Sequence, residues 1–84
     1  MAIMGLMDIR QYITTDAKIC HGKPCFKGTR ILVHTILELL AAGVRQEEIL
    51  GEKYYPQLTP AHIRAALEYA AKLSEAGELV ELPA

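Results

Sequence analysis

The stretch Ile19–Ile31 constrains the fold more than any other part of this chain, because no long helix or strand fits it. Gly22 and Gly28 reach left-handed and tight-turn conformations that other residues adopt only at a cost. Pro24 fixes its own backbone and drives Lys23 towards an extended conformation. The stretch is therefore predicted to be a structured loop, preceded by a short strand and followed by helices.

Six residues of this loop are assigned structural roles. Gly28 lies between an extended segment and an arginine, so a positive φ is predicted there. Arg30 is expected to anchor the loop by donating hydrogen bonds from its planar guanidinium group to loop carbonyls. The predicted loop residues are Gly22, Lys23, Pro24, Gly28, Thr29 and Arg30.

A wider pattern of residues includes this loop and covers most of the chain, roughly residues 13–71. It consists of Ile13-Thr14, Asp16, Ile19-Cys20-His21-Gly22-Lys23-Pro24, Gly28-Thr29-Arg30-Ile31, Val33, Gly43, Glu47-Glu48-Ile49-Leu50, Tyr55-Pro56, Leu58-Thr59, Ile63, Ala66-Leu67 and Tyr69-Ala70. The pattern resembles the domain of unknown function 433 family. Members of that family are similar to helix-turn-helix proteins and are often VapB-like antitoxins paired with a PIN-like ribonuclease toxin.

The length of the chain, 84 residues, predicts a single small domain over residues 1–84. A chain of this size buries only about 60–65% of its unfolded surface. Yet 51% of its residues are hydrophobic. Surplus apolar surface requires either a tight core or a partner, and a homodimer is the simplest partner to expect.

The net charge of −1 is unevenly distributed. Residues 1–45 carry six basic and three acidic residues, whereas residues 46–84 carry three basic and seven acidic residues. This asymmetry is compatible with a basic face for nucleic acid and an acidic face for a basic partner.

Targeting signals and cysteine usage favour a cytoplasmic protein without a membrane partner. Two cysteines, five positions apart, do not indicate a disulfide framework, and a reducing compartment suits them better. The apolar N-terminus lacks the basic region of a signal peptide. No run reaches the roughly 18 apolar residues that a membrane helix needs.

The predicted fold class is mainly α: a three-helix, helix-turn-helix-like core with a short N-terminal β element. Residues 1–5 are predicted to be disordered, residues 6–31 to form the strand and loop lead-in, residues 32–76 the three-helix core, and residues 77–84 a tail. Loose alternation of apolar side chains predicts a strand over Ile9–Thr14. A second short strand is predicted over Lys18–Cys20.

Apolar spacing and terminators define three helices. The first is predicted over Val33–Ala42 and ends before Gly43, a natural left-handed terminator. The second is predicted over Gln46–Gly51. The third begins at Thr59-Pro60, an N-cap followed by a proline at the first helical position, and runs to about Glu75. Its apolar face is predicted to contain Ile63, Ala66, Leu67, Ala70 and Ser74.

The second and third helices form a candidate DNA-binding motif, in which the third helix enters the major groove. Its early residues Thr59, Ala61, His62, Arg64 and Ala65 would then face base edges, and Lys53 would reach a phosphate from the turn. The predicted nucleic-acid-binding residues are Lys53, Thr59, His62 and Arg64. The alternative is an ordinary three-helix core in which Arg64 pairs with Glu68, one turn further along the helix.

Catalytic and metal-binding interpretations have less support. Cys20, His21, Cys25 and His34 are of the residue types that bind zinc, but their spacing does not match a zinc finger or ribbon. The glycines do not have the order of a phosphate-binding loop. No catalytic residue, no metal site and no cofactor is therefore predicted, and the chain is not expected to be an enzyme.

The resemblance implies the antitoxin component of a toxin–antitoxin pair. Two activities follow from it: neutralising a PIN-like ribonuclease toxin, and binding the protein's own promoter DNA as a dimer. The alternative is a dimeric protein-interaction module without DNA binding or catalysis. The expected partners are a cognate toxin protein, a second copy of the chain and operator DNA.

Overall fold

The computed structural model describes residues 8–77, so the predicted disorder of residues 1–5 and the tail after Gly77 lie outside the described residues. Two short strands and three helices follow one another along the chain. Their bounds are β1 (Ile13–Thr14), β2 (Cys25–Phe26), α1 (Val33–Ala41), α2 (Gln46–Ile49) and α3 (Pro60–Glu75). The prediction of a mainly α fold with a short N-terminal β element is confirmed.

The N-terminal β element is smaller than predicted. Residues Ile9–Gln11 form a 3-10 turn, because the Asp8 carboxylate accepts the Arg10 backbone N–H at 3.1 Å and caps it. The predicted strand is therefore wrong over these residues and correct only for β1.

The second predicted strand, Lys18–Cys20, is also wrong. The Asp16 carboxylate accepts the Lys18 N–H at 2.8 Å and closes a turn, and a 3-10 turn follows over Cys20–Gly22. The partner of β1 is instead β2, antiparallel, with Ile13 opposite Phe26.

The end of α1 follows from local sequence. Gly43 has φ +91°, and its N–H donates to the Leu40 carbonyl at 3.0 Å. The Val44 N–H donates to the Leu39 carbonyl at 3.0 Å, which completes the pair of bonds that typically closes a helix on a left-handed residue. The prediction that α1 ends before Gly43 is thus confirmed. The helix ends at Ala41, one residue earlier than predicted.

The second helix is a single turn, shorter than the predicted Gln46–Gly51. Its N-cap, Arg45, has no side-chain acceptor, and only the Glu48 carboxylate reaches back to the Arg45 N–H, at 3.3 Å. Residues 50–59 then connect α2 to α3, which is longer than the three- or four-residue turn usual in helix-turn-helix motifs. The connection is held by hydrogen bonds from Tyr55 N–H to the Ile49 carbonyl and from Leu58 N–H to the Tyr55 carbonyl.

One apolar core joins the β element to the helices. Its buried members are Ile13, Phe26, Val33, Ile36, Ile49, Leu58, Ile63, Ala65 and Ala66. Leu67 was predicted on the buried face of α3 but is 51% exposed. The inward side of α3 passes through Ile63 and Ala66, and Leu67 lies outside it. None of the described helices has both the length and the apolar character required to cross a membrane.

Candidate functional site

The first turn of α3 is fixed by a contact between Thr59 and His62. Thr59 is the N-cap, in an extended conformation, and Pro60 occupies the first helical position. The Thr59 backbone N–H donates to Nδ1 of His62 at 3.0 Å, and the Thr59 hydroxyl lies 2.9 Å from the same nitrogen. The predicted helix start is confirmed, but the histidine at the third helical position provides the capping acceptor.

The His62 ring faces the N-terminal part of the chain. It lies edge-on to the Tyr12 ring at 5.3 Å and to the Phe26 ring at 5.4 Å between centroids. Burial lowers the pKa of His62. The neutral imidazole therefore fits this position, because its Nδ1 must stay unprotonated to accept the Thr59 N–H. This predicted nucleic-acid contact is engaged in positioning α3.

The outer face of α3 contains the remaining candidate arginine. Pro60, Arg64, Leu67 and Ala71 are exposed and recur at helical spacing along one side. Within residues 8–77, the Arg64 guanidinium forms no ion pair and no hydrogen bond, so the alternative in which Arg64 pairs with Glu68 is not observed there. Arg64 is thus a fixed positive charge that projects from the helix one turn after its start.

Ala61 and Ala65 of α3 were also predicted to face base edges, and they differ in their exposure to solvent. Ala65 is fully buried, so its predicted contact with DNA is wrong. Ala61 is half-buried. Ala65 is directed inward and belongs to the same buried core as Ile63 and Ala66.

Lys53 lies in the connection between α2 and α3 and is exposed. Its Nζ is 5.8 Å from the centroid of the Tyr54 ring, within the range of a weak cation–π contact. Thr59 is also exposed. Lys53 and Thr59 therefore present a cation and a hydroxyl group to solvent before the arginine of α3, although Glu52 beside them is also exposed.

The predicted loop has the expected left-handed residues, with φ +77° at Gly28 and +82° at Gly22. The positive φ of Gly28 is thereby confirmed. The Thr29 hydroxyl donates to the Phe26 carbonyl at 2.8 Å and accepts the Ile31 N–H at 3.0 Å. The Pro24 carbonyl accepts the Val33 N–H at 3.0 Å, so the loop also supports the start of α1.

Arg30 does not have its predicted role. Its side chain is exposed and donates no hydrogen bond to any loop carbonyl within residues 8–77. Thr29 closes the loop instead, and the backbone carbonyl of Arg30 accepts a hydrogen bond from the Cys20 thiol at 3.5 Å. Lys23 is likewise exposed.

The four residues considered for metal binding are divided between two places. His34 lies on α1 and contacts the Glu38 carboxylate at 3.5 Å, and both side chains are largely exposed. Cys25 is fully buried in β2, whereas Cys20 is half-buried. No group of three or more potential metal-binding side chains occurs among the described residues.

Two features were not found from the sequence. Cys20 and His21 are left-handed, with φ +54° and +56°. Histidine is mildly enriched in that conformation, but nothing in the sequence indicates it for cysteine. The second feature is a surface groove between the start of α1 and the end of α3. It has a volume of about 390 Å³ and is lined mainly by Pro24, His34, Leu37, Tyr69 and Leu73.

Comparison with known proteins gives one family match. The model of a family described as "Protein of unknown function (DUF433)" matches residues 13–70, well over half of the chain. The matched segment includes the loop, the three helix starts and Arg64. Searches of curated proteins and of solved structures find no match.

Proposed function

This chain belongs to the domain of unknown function 433 family, and from the geometry of α3 we propose that it is the antitoxin component of a toxin–antitoxin pair. In this proposal it neutralises a PIN-like ribonuclease toxin in the cytoplasm, binds its own promoter DNA as a homodimer and catalyses no reaction. The observation that carries the DNA-binding part is the exposed guanidinium of Arg64, which has no partner within residues 8–77.

The position of Arg64 supports a contact in the major groove. In helix-turn-helix proteins the early residues of the second helix meet base edges and groove walls. Arg64 lies on the outer face of α3, one turn after Pro60. A guanidinium group keeps its charge at all physiological pH values and binds phosphate or a guanine edge through two hydrogen bonds.

The surrounding residues have supporting roles in this proposal. Lys53 and Thr59 are exposed in and just after the connection, where they would contact phosphates. His62 would act indirectly, because its Nδ1 caps α3 and its ring packs on Tyr12 and Phe26. Loss of His62 would then change the orientation of α3 rather than remove a DNA contact.

A groove of about 390 Å³ supports the protein-binding part of the proposal. Leu37, Tyr69 and Leu73 contribute apolar surface there, on a different side of α3 from Arg64. A helix or strand of a toxin would be bound by such a surface while the side of α3 that contains Arg64 remains free for DNA. The same groove favours the second candidate, a dimeric protein-interaction module without DNA binding or catalysis.

The DNA-binding part is tested by measuring the affinity of the full chain for its own upstream DNA at two salt concentrations. Arg64→Ala is expected to weaken binding by about 1–3 kcal/mol if Arg64 contacts a base. A contact with phosphate alone would weaken binding to all sequences and make the salt dependence shallower. Lys72→Ala is the matched control: it removes one exposed positive charge from the last turn of the same helix.

Equal affinity of Arg64→Ala and wild type would remove Arg64 from the DNA interface. No salt-sensitive binding by wild type would favour the interaction module instead. Light scattering at micromolar concentration then separates a dimer from a monomer, and a monomer would exclude binding to a palindromic site through two copies of α3.

The antitoxin part is tested separately. The chain is co-expressed with the protein encoded by the adjacent reading frame, and the two are expected to purify together. Addition of the chain is expected to suppress ribonuclease activity of that partner. A partner that neither binds nor loses activity would contradict the antitoxin proposal without affecting the DNA-binding result.

A further inference from the structure

The loop brings together two thiols that the proposed function does not use. Cys20 and Cys25 are both free cysteines. The Cys20 thiol donates to the Arg30 carbonyl at 3.5 Å, and the Cys25 thiol contacts the Thr29 carbonyl at 3.8 Å. These two carbonyls belong to consecutive residues, so both sulfur atoms lie against the same short piece of backbone.

The pKa of the Cys25 thiol reflects its surroundings. Burial raises this pKa, and the neighbouring Cys20 thiol raises it further. The charge of Arg30 opposes these effects and favours a thiolate at this position.

The backbone that joins the two cysteines is strained. Cys20 and His21 have φ values of +54° and +56° and are followed by Gly22 at +82°. Residues other than glycine adopt this conformation only at an energetic cost, and such positions are concentrated at functional sites. The Lys23 N–H donates to the Cys20 carbonyl at 3.0 Å, which closes the reversal and returns the chain towards Cys25.

The two cysteines differ in access to solvent. Cys25 is fully buried, whereas Cys20 is half-buried. An open cavity of about 350 Å³ lies at this part of the loop and is lined by Ile19, Gly28, Thr29 and Arg30. A small oxidant therefore has access to the neighbourhood of Cys20 and none to Cys25.

We propose that Cys20 and Cys25 are a redox pair, which a hydroperoxide converts to a disulfide within the loop and a dithiol reductant restores. The Cys20 sulfur attacks one peroxide oxygen, the O–O bond breaks, and the thiol proton leaves with the other oxygen as water, or as the alcohol of an organic peroxide. Cys20 is then a sulfenic acid. The Cys25 sulfur attacks the Cys20 sulfur, and the sulfenic oxygen leaves as water with the proton of Cys25. Two electrons have passed from the thiols to the peroxide.

The ordinary alternative is that both cysteines only fill space. Cys25 is paired with Thr14 in the small sheet and would serve as a compact apolar side chain. That role explains neither the left-handed conformation of Cys20 nor the contact of its thiol with the Arg30 carbonyl, beside the one that Cys25 contacts.

The test uses the full reduced chain at low concentration, treated with hydrogen peroxide and digested with trypsin. One tryptic peptide, residues 19–27, contains both cysteines, because the bond between Lys23 and Pro24 resists cleavage. This peptide is expected to lose the mass of two hydrogen atoms, and both thiols are expected to become unreactive towards maleimide together. Dithiothreitol should restore both.

Two variants assign the roles of the cysteines. Cys25→Val keeps an apolar side chain in the strand and should stop at a Cys20 sulfenic acid that dimedone traps. In Cys20→Ser, the buried Cys25 should be oxidised about tenfold more slowly than the thiols of the wild type. The disulfide itself is measured on the wild type, so a variant that fails to fold leaves that measurement intact.

Three results would overturn the proposal. The first is a disulfide between two chains as the main product. The second is oxidation of Cys20 to sulfinic acid while Cys25 remains a thiol. The third is survival of both thiols in the folded chain at a peroxide concentration that oxidises them in urea. None of these results bears on DNA or toxin binding.

Discussion

In the loop of residues 19–31 the backbone is held by single hydrogen bonds and left-handed residues, whereas residues 33–77 are held by three helices whose apolar sides pack together. The Thr29 hydroxyl alone makes two of the loop's closing hydrogen bonds. In the helical segment, Ile36, Ile49 and Ile63 are almost completely buried against one another's helices. The stability of the loop therefore depends on individual hydrogen bonds, and the stability of the helical segment depends on the packing and burial of apolar side chains.

The two regions meet at one loop residue. Phe26 is completely buried, belongs to the common core and contacts the His62 ring at the start of α3. The loop is therefore part of the folded core and not an attachment to it. The contact between Phe26 and His62 joins the loop to the start of α3, the helix that contains Arg64.

The largest expected effect on stability is that of a substitution at Phe26, where the loop joins the core. Phe26→Ala should lower the free energy of unfolding by about 3–5 kcal/mol, because it removes a fully buried aromatic ring and leaves a cavity. Urea denaturation followed by circular dichroism measures it. The control is Leu67→Ala on the exposed side of α3, which should cost less than about 0.5 kcal/mol. Similar costs for the two variants would mean that the loop is not part of the core.

The second effect concerns the hydroxyl that closes the loop. Thr29→Val keeps the shape of the side chain but leaves the Ile31 N–H without its acceptor, so it should cost about 1–3 kcal/mol. Thr29→Ser retains the hydroxyl group and is the matched control. The measurement is the shift of the urea midpoint at constant slope. Equal shifts for valine and serine would show that the hydroxyl group, which only serine keeps, does not determine the cost.

The third effect compares one backbone conformation in the two regions. Gly28 in the loop and Gly43 at the end of α1 both have positive φ, and a Cβ at either would meet nothing within 4 Å. Gly28→Ala and Gly43→Ala should therefore each cost about 1 kcal/mol through backbone strain alone. Thermal denaturation of both variants tests this. A much larger cost at Gly28 would mean that the loop tolerates no rearrangement.

The smallest effect is a dependence of stability on pH. Burial lowers the pKa of His62 below 6.5, the value of an exposed imidazole. The folded state thus binds fewer protons than the unfolded state, and its stability is complete above pH 6.5 and decreases as the pH falls through the lower pKa of the folded chain. Urea midpoints measured across this pH range should show the decrease.

His62→Gln is the informative variant for this effect. Glutamine is a common acceptor at this capping position but does not titrate. The variant should remove the pH dependence in that window while keeping the start of α3. His34→Gln on the exposed side of α1 is the matched control and should leave the dependence in place. An unchanged dependence in His62→Gln would assign it to another group.

Much of the fold was predictable from the sequence, because its signals act within a few residues. Thr59-Pro60 marks the start of α3, and Gly43 marks the end of α1, through capping geometry alone. The positive φ of Gly28 was predicted in the same way, from the residues on either side of it. Of the candidate site, the exposure of Arg64 and Lys53 agrees with the predicted binding face.

Contacts between distant parts of the chain decided the rest. The partner of β1 is Cys25–Phe26, because those residues bring Phe26 into the core opposite Ile13. Ala65 is buried and Leu67 exposed because of how the other elements pack around α3. The packing of His62 on Tyr12 likewise joins residues that are far apart in sequence.

The sequence by itself determined the three helices, their order and the positions of the left-handed glycines, since these depend on backbone preferences and periodicity. Only the tertiary structure decided that the Cys20 and Cys25 thiols contact consecutive carbonyls, that the His62 ring packs on Tyr12 and Phe26, and that Ala65 is buried. Each of these outcomes depends on the direction of a side chain relative to residues elsewhere in the chain, and spacing along the chain does not encode that direction.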